Sequence, residues 1–159
     1  MSEVYLVNLC GYWYFFAQQA VQQILAPPCT EIRKGGQLWL QVPGAEAAEL
    51  CPLHLLFSWP QPAGTADDHF VVLSHGGRRF ALPMHGEGRA CSLREQALRP
   101  LPAAFGEFSR QMVPRLLVNG CEVIMQINMD ELIRAMDKIV YLRRKKLRQQ
   151  SRLQSGMQS

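Results

Sequence analysis

Gly76 and Gly77 sit between two apolar runs, and the stretch around them, Phe70–Pro102, reads FVVLSHGGRRFALPMHGEGRACSLREQALRPLP. Phe70–Leu73 and Arg78–Met84 are rich in strand-favouring residues, and a glycine pair supplies the positive φ that a tight hairpin turn needs. A hairpin centred on these glycines sets His75 opposite Arg78, Leu73 opposite Phe80 and Val71 opposite Leu82, so apolar meets apolar across it. A fainter copy lies earlier. At an offset of 65, Tyr5 falls on Phe70, Val7 on Val72, Gly11 on Gly76 and Phe15 on Phe80. Two hairpins of one design imply two small β-barrels built on one plan.

The remaining segments fit a mainly β chain. Val4–Leu9 and Tyr12–Phe16 read as strands, the second with large residues on both faces. Ala17–Leu25 is open between helix by propensity and strand by alternation, and Pro27-Pro28 ends it. After a break at Gly35-Gly36, Gln37–Val42 alternates as a strand, and Leu50–Phe57 is the next strand. Residues 60–68 (PQPAGTADD) are the one linker-like segment. They divide a first subdomain at about 4–59 from a second at about 69–133. Ser92, with Glu95 three residues on, predicts a short capped helix to Leu98. Pro114–Val118 and Cys121–Asn128 flank Asn119-Gly120, a strong hairpin signal. Asn128 then caps a helix whose apolar residues Met129, Leu132, Ile133, Met136, Ile139 and Val140 keep helical spacing. This helix is expected over 129–150, with a frayed tail at 151–159.

Charge is unevenly placed. Residues 134–159 hold eight basic residues and one acid, a net +7, whereas residues 1–133 hold nine basic and twelve acidic, a net −3. The basic run Arg143, Arg144, Lys145, Lys146 and Arg148 fits a solvated helix end, an acidic protein partner or nucleic acid. No apolar run is long enough for a membrane-spanning helix. The apolar N-terminal run lacks the basic start and cleavage site of a signal peptide, so none is expected.

Chemistry is sparsely signalled. The five cysteines, Cys10, Cys29, Cys51, Cys91 and Cys121, are widely spaced with no C-x-x-C, which fits free thiols in a reducing cytoplasm. Of His54, His69, His75 and His85, the hairpin register sets His85 opposite Asp68 rather than near His75, so two ligands would not converge and no metal is expected. Cys91 has no His–Asp pair placed beside it by any motif and reads as structural rather than nucleophilic. Gly86-Glu87-Gly88 lacks the residues of a phosphate loop and reads as a strand bend or bulge. No enzyme and no cofactor is expected.

FVVLSHGGRRFALPM, CSLREQALRPLP and the closing VIMQINMDELI together resemble the second half of the CheW-like domain, the bacterial chemotaxis coupling module. YLVNLCGYWYFF and AVQQIL match its first half more loosely. The resemblance implies two five-stranded SH3-like β-barrels followed here by a C-terminal α-helix. It implies a non-enzymatic cytoplasmic adaptor, working at membrane receptor arrays. Its partners would be a chemoreceptor cytoplasmic tip and the regulatory domain of a CheA-type histidine kinase. Positions matching family contact strands are Val21, Gln23 and Ile24 in the first half and Ala81, Glu87 and Ala90 in the second. The chain departs from the pattern in three places. LWLQVPGAEAAELCPLHLL lacks the Arg-Gly pair tied to receptor and kinase coupling, Gln23 stands where an acid is common, and the basic C-terminal helix is an addition. The alternative is a β-barrel protein that binds nucleic acid or another acidic partner through that helix.

Overall fold

The computed structural model describes residues 1–53 and 68–157. Eleven strands are present among them: β1 (Ser2–Leu9), β2 (Tyr12–Ala17), β3 (Val21–Leu25), β4 (Glu31–Lys34), β5 (Gln37–Leu40), β6 (Ala48–Leu50), β7 (His69–His75), β8 (Arg78–Leu93), β9 (Arg99–Pro100), β10 (Arg115–Asn119) and β11 (Glu122–Gln126). A short helix α1 (Glu107–Met112) precedes β10, and a long helix α2 (Met129–Met157) follows β11. The fold is therefore mainly β with a C-terminal helix.

The β7–β8 hairpin has the register read from its apolar residues, with His75 opposite Arg78, Leu73 opposite Phe80 and Val71 opposite Leu82. Gly76 and Gly77 both take positive φ, as do Gly35 and Gly36 between β4 and β5. That second glycine pair is thus a hairpin turn as well. In β1–β2 the turn is Cys10-Gly11, with Cys10 at φ 54. The β10–β11 turn differs from the Asn-Gly expectation. Asn119 pairs with Glu122, so the loop is Gly120-Cys121, and of these two only Gly120 has positive φ. Glycine at the first central position is the requirement of a type II′ turn, not of a type I′ turn.

Strand β8 is far longer than expected. It runs through Gly86 and Gly88 to Leu93, and the capped helix expected at Ser92–Leu98 is absent. Ser92 instead pairs with Glu3 across the sheet, and its hydroxyl donates to the Glu3 carboxylate at 2.6 Å. A 3-10 turn occupies Glu95–Ala97, and Arg99–Pro100 form the two-residue strand β9 against β10. The ladder to β1 is displaced between Leu6 and Asn8, which face Arg89 and His85, so the extra residues 86–88 form the expected bulge. The ambiguous segment 17–25 is resolved as a strand. Gln18–Ala20 make one 3-10 turn, and Val21–Leu25 then pair with β7, because sheet pairing outweighs a modest helix propensity. Only the start of the strand expected at Leu50–Phe57 is seen, as the end of β6. Cys51, Pro52 and Leu53 are not strand, Pro52 having no N–H to give a ladder, and residues 54–57 lie outside the described residues, as do 60–67 of the expected linker.

The strands form two sheets joined through β8. Sheet I has the order β8–β1–β2–β11–β10–β9, using the second half of β8. Sheet II has the order β3–β7–β8–β6–β5–β4, using its first half. Each sheet is one glycine-turn hairpin combined with the four strands that follow the other hairpin. The parallel pair is equivalent in both, β2 with β11 and β8 with β6. The pairing thus runs across the boundary expected at 60–68. Nor do the described strands close into five-stranded barrels: each sheet counts six, with β8 shared, and each has two free edges.

Three apolar clusters follow from the alternation of side chains along these strands. Val4, Leu6 and Phe15 line the inside of sheet I with Leu93, Leu98 and Ile124. Phe70, Val72 and Ala81 line the inside of sheet II with Leu25, Leu40, Val42 and Ala48. The opposite faces of both hairpins meet in a central layer: Val7, Leu9, Tyr14 and Phe16 against Val71, Leu73, Phe80 and Leu82. Leu132 and Met136 of α2 and Met112 at the end of α1 complete it. The two hairpins therefore correspond at an offset of 66, not 65. At 66, Val4 falls on Phe70, Leu6 on Val72, Phe15 on Ala81 and Tyr14 on Phe80, each matched inside to inside or centre to centre. One residue of slip puts every side chain on the wrong face.

Candidate partner-binding surfaces

Strand β3 is an edge of sheet II, pairing with β7 alone among the described residues. It carries Val21, Gln23 and Ile24, all half-buried. Val21 and Ile24 lie opposite Leu73 and Val71 and pack on the central layer, so both side chains face inward. Gln23 lies opposite Val72, which in turn lies opposite Ala81. The fold thus brings a first-half and a second-half position into one row across three strands. Ala81 itself is fully buried between β7 and β6 and offers no surface to a partner. A residue facing the inside of a sheet is a packing residue, whichever strand bears it.

Glu87 and Ala90 are exposed on the second half of β8, where that strand is an edge of sheet I. The backbone there is tightly held. The Tyr5 hydroxyl donates to the Glu87 carbonyl at 2.8 Å, and Gly88 packs so closely on Leu6 that a Cβ would press into its carbonyl oxygen. Unpaired N–H and C=O groups along such edges are templates for an added strand.

Helix α2 begins as read from Asn128, whose side-chain oxygen accepts from the backbone N–H groups of Asp130 and Glu131. It then continues to Met157, beyond the end expected near residue 150. Its docking onto sheet II rests on a polar network. The Arg78 guanidinium donates to both Glu49 oxygens, at 3.0 and 2.8 Å, and to both Asp137 oxygens, at 2.9 and 2.8 Å. Gln37 donates to the buried Glu49 at 3.0 Å. The ring of Phe80 lies 5.0 Å beneath the guanidinium. Hydrogen bonding to Arg78 holds the Asp137 carboxyl below its ordinary value, and the bonds to Asp137 and Glu49 hold Arg78 firmly charged. Two turns earlier on α2, His75 and Asp130 are 2.8 Å apart. Nothing in the sequence links positions 49, 78 and 137. An arginine directly after a glycine pair and a glutamate within Ala48–Leu50 were the available signals.

The basic positions separate by direction. Arg143, Arg144, Lys145, Lys146 and Arg148 are all exposed. At about 100° per residue, Arg143 lies on the body side of α2, beside a cavity of about 170 Å³ that Leu38, Leu50 and Met84 also line. Arg144, Lys145 and Arg148 point away from the body, with Lys146 on the flank.

Reactive groups are muted. Burial pushes the Cys91 thiol above its ordinary value, with Arg89 opposing and Glu3 adding. Burial also pushes Cys51 to about 12. Thiols held protonated are poor nucleophiles. Among the described residues no three His, Cys, Asp or Glu side chains gather as metal ligands. No described helix is long and apolar enough to cross a membrane.

A scan against protein-family models gives no match, and neither does a search of curated protein sequences. Structure comparison does match. The crystal structure of the scaffolding protein TtCheW from Thermoanaerobacter tengcongensis superposes with a TM-score of 0.63 at 13% identity, covering 82% of this chain and 86% of that one. The chain therefore has a CheW-like fold.

Proposed function

We propose that this protein is a non-enzymatic adaptor of a bacterial chemosensory pathway, coupling chemoreceptor cytoplasmic tips to the regulatory domain of a CheA-type histidine kinase. The observation that carries this reading is the pair of like sheets locked together by one strand, β8, and a shared central layer, in a CheW-like fold. An adaptor needs binding edges in a fixed mutual relation, and that arrangement supplies them. The two sheets are read as open counterparts of the family's five-stranded barrels. The contact surfaces are the β3 edge, through Gln23 and the backbone beside Val21 and Ile24, and the β8 edge at Glu87 and Ala90. The work would be done in the cytoplasm, at receptor arrays.

The test is titration of the full chain with the kinase regulatory domain. Binding in the micromolar range is expected. Glu87→Arg, which reverses an exposed edge charge, should weaken it at least tenfold while leaving the melting temperature unchanged. No binding at tens of micromolar overturns the reading.

A further inference from the structure

The apolar side of α2 is already occupied. Leu132 and Met136 are buried in the central layer, Met129, Ile133 and Ala135 pack on it, and Leu147 reaches the β4–β5 turn, 3.2 Å from where a Cβ on Gly36 would stand. At about 100° per residue, the opposite side carries Arg134, Lys138, Tyr141, Arg144, Lys145, Arg148 and Arg152 within an arc of about 120°. From Arg134 to Arg152 this row is about 27 Å long, at about 1.5 Å per residue. Asp137, an acid within this arc, has both oxygens bonded by Arg78, so its charge is offset from within the body. Arg134 pairs with Glu131, whereas Lys138, Arg144, Lys145, Arg148 and Arg152 make no ion pair among the described residues. All five are exposed.

We propose that this face binds the phosphate backbone of a nucleic-acid duplex without reading its sequence. A membrane surface would need a continuous apolar face to insert; the buried stripe of α2 is committed to the protein body, and exposed Leu142 and Leu153 lie about three turns apart on a flank outside this row. A protein interface would need a desolvated apolar centre, and Tyr141 alone stands in this row. Single strands would need a series of stacking aromatics. What remains is a rigid row of cations, three of the five unpaired ones arginine, whose planar fork suits phosphate oxygens. A duplex presents a comparable line of charge, about one per 1.7 Å of axis. The body, residues 1–133, has a net charge of −3 and would be repelled, which directs contact to the far side of the helix.

The experiment measures fluorescence anisotropy of a labelled duplex of about 20 base pairs, titrated with the full chain. Four or five phosphate contacts predict an affinity loss of about 100- to 500-fold between about 50 and about 200 mM salt. Arg144→Glu, Arg148→Glu and Arg152→Glu together should abolish binding, whereas Arg94→Glu with Arg110→Glu, exposed cations off the helix, should leave most of it. Equal duplex binding by the triple variant, or no binding by wild type at low salt, overturns the proposal. So does tighter binding to phosphatidylserine vesicles or to polyglutamate than to the duplex. Kinase-domain affinity of the triple variant is measured in parallel. Its retention, with the duplex lost, separates this surface from the adaptor edges.

Discussion

At the scale of the residue, Gly88 shows how a bulge becomes a requirement for one amino acid. Its φ is +72°, and the space where a Cβ would stand holds the Leu6 carbonyl, the Tyr5 ring and the Met84 methyl. A left-handed conformation alone costs a side chain roughly 1–3 kcal/mol, and the backbone clash adds to it. Gly88→Ala is therefore expected to lower unfolding free energy by about 3 kcal/mol or more, measured by chemical denaturation. A loss under about 1 kcal/mol would mean that the bulge relaxes freely. The glycine pattern around position 87 was legible as a bend. The identity of the glycine that cannot change was not, because its constraint comes from β1, some eighty residues away.

At the scale of the element, α2 is tied to the sheet by Arg78 as well as by its buried Leu132 and Met136. Arg78→Met would leave the buried Glu49 carboxylate with Gln37 as its remaining bonded partner, at a cost of roughly 2–4 kcal/mol. Asp137 is more exposed, so Asp137→Asn should cost less. The Asp137 carboxyl titrates below its unfolded value in the folded protein. Its contribution is therefore complete above the ordinary aspartate range, about pH 4, and is lost as pH falls through the folded value. Melting curves of wild type and Asp137→Asn should differ at neutral pH and converge below about pH 4; a constant difference would assign the stabilisation to packing. The start of this helix could be read from Asn128 and the spacing of Leu132 and Met136. Its docking partner could not, because the three charged groups that make it stand on separate strands and on the helix.

At the scale of the whole molecule, each sheet borrows. Sheet I takes β1 and β2 from the start of the chain and β9 to β11 from its end, and sheet II takes the strands between. A chain interleaved in this way should unfold in one cooperative transition. A fragment of residues 69–133 lacks β1 and β2 for one sheet and β3 to β6 for the other, and so should not fold. A dispersed amide spectrum from that fragment would show instead that it is self-sufficient.

Local chemistry alone determined much of this protein. Glycines set the turns, side-chain alternation set the register of β7–β8, and an asparagine before a 3.6-residue pattern set the start of α2. These signals act over a few residues and are written in them. The assignment of strands to sheets, the burial of Ala81, and the offset of 66 rather than 65 between the two hairpins came from pairing between distant segments. A one-residue shift leaves composition and turn signals nearly intact yet exchanges the two faces of a strand, and what decides between the faces is whatever packs on them.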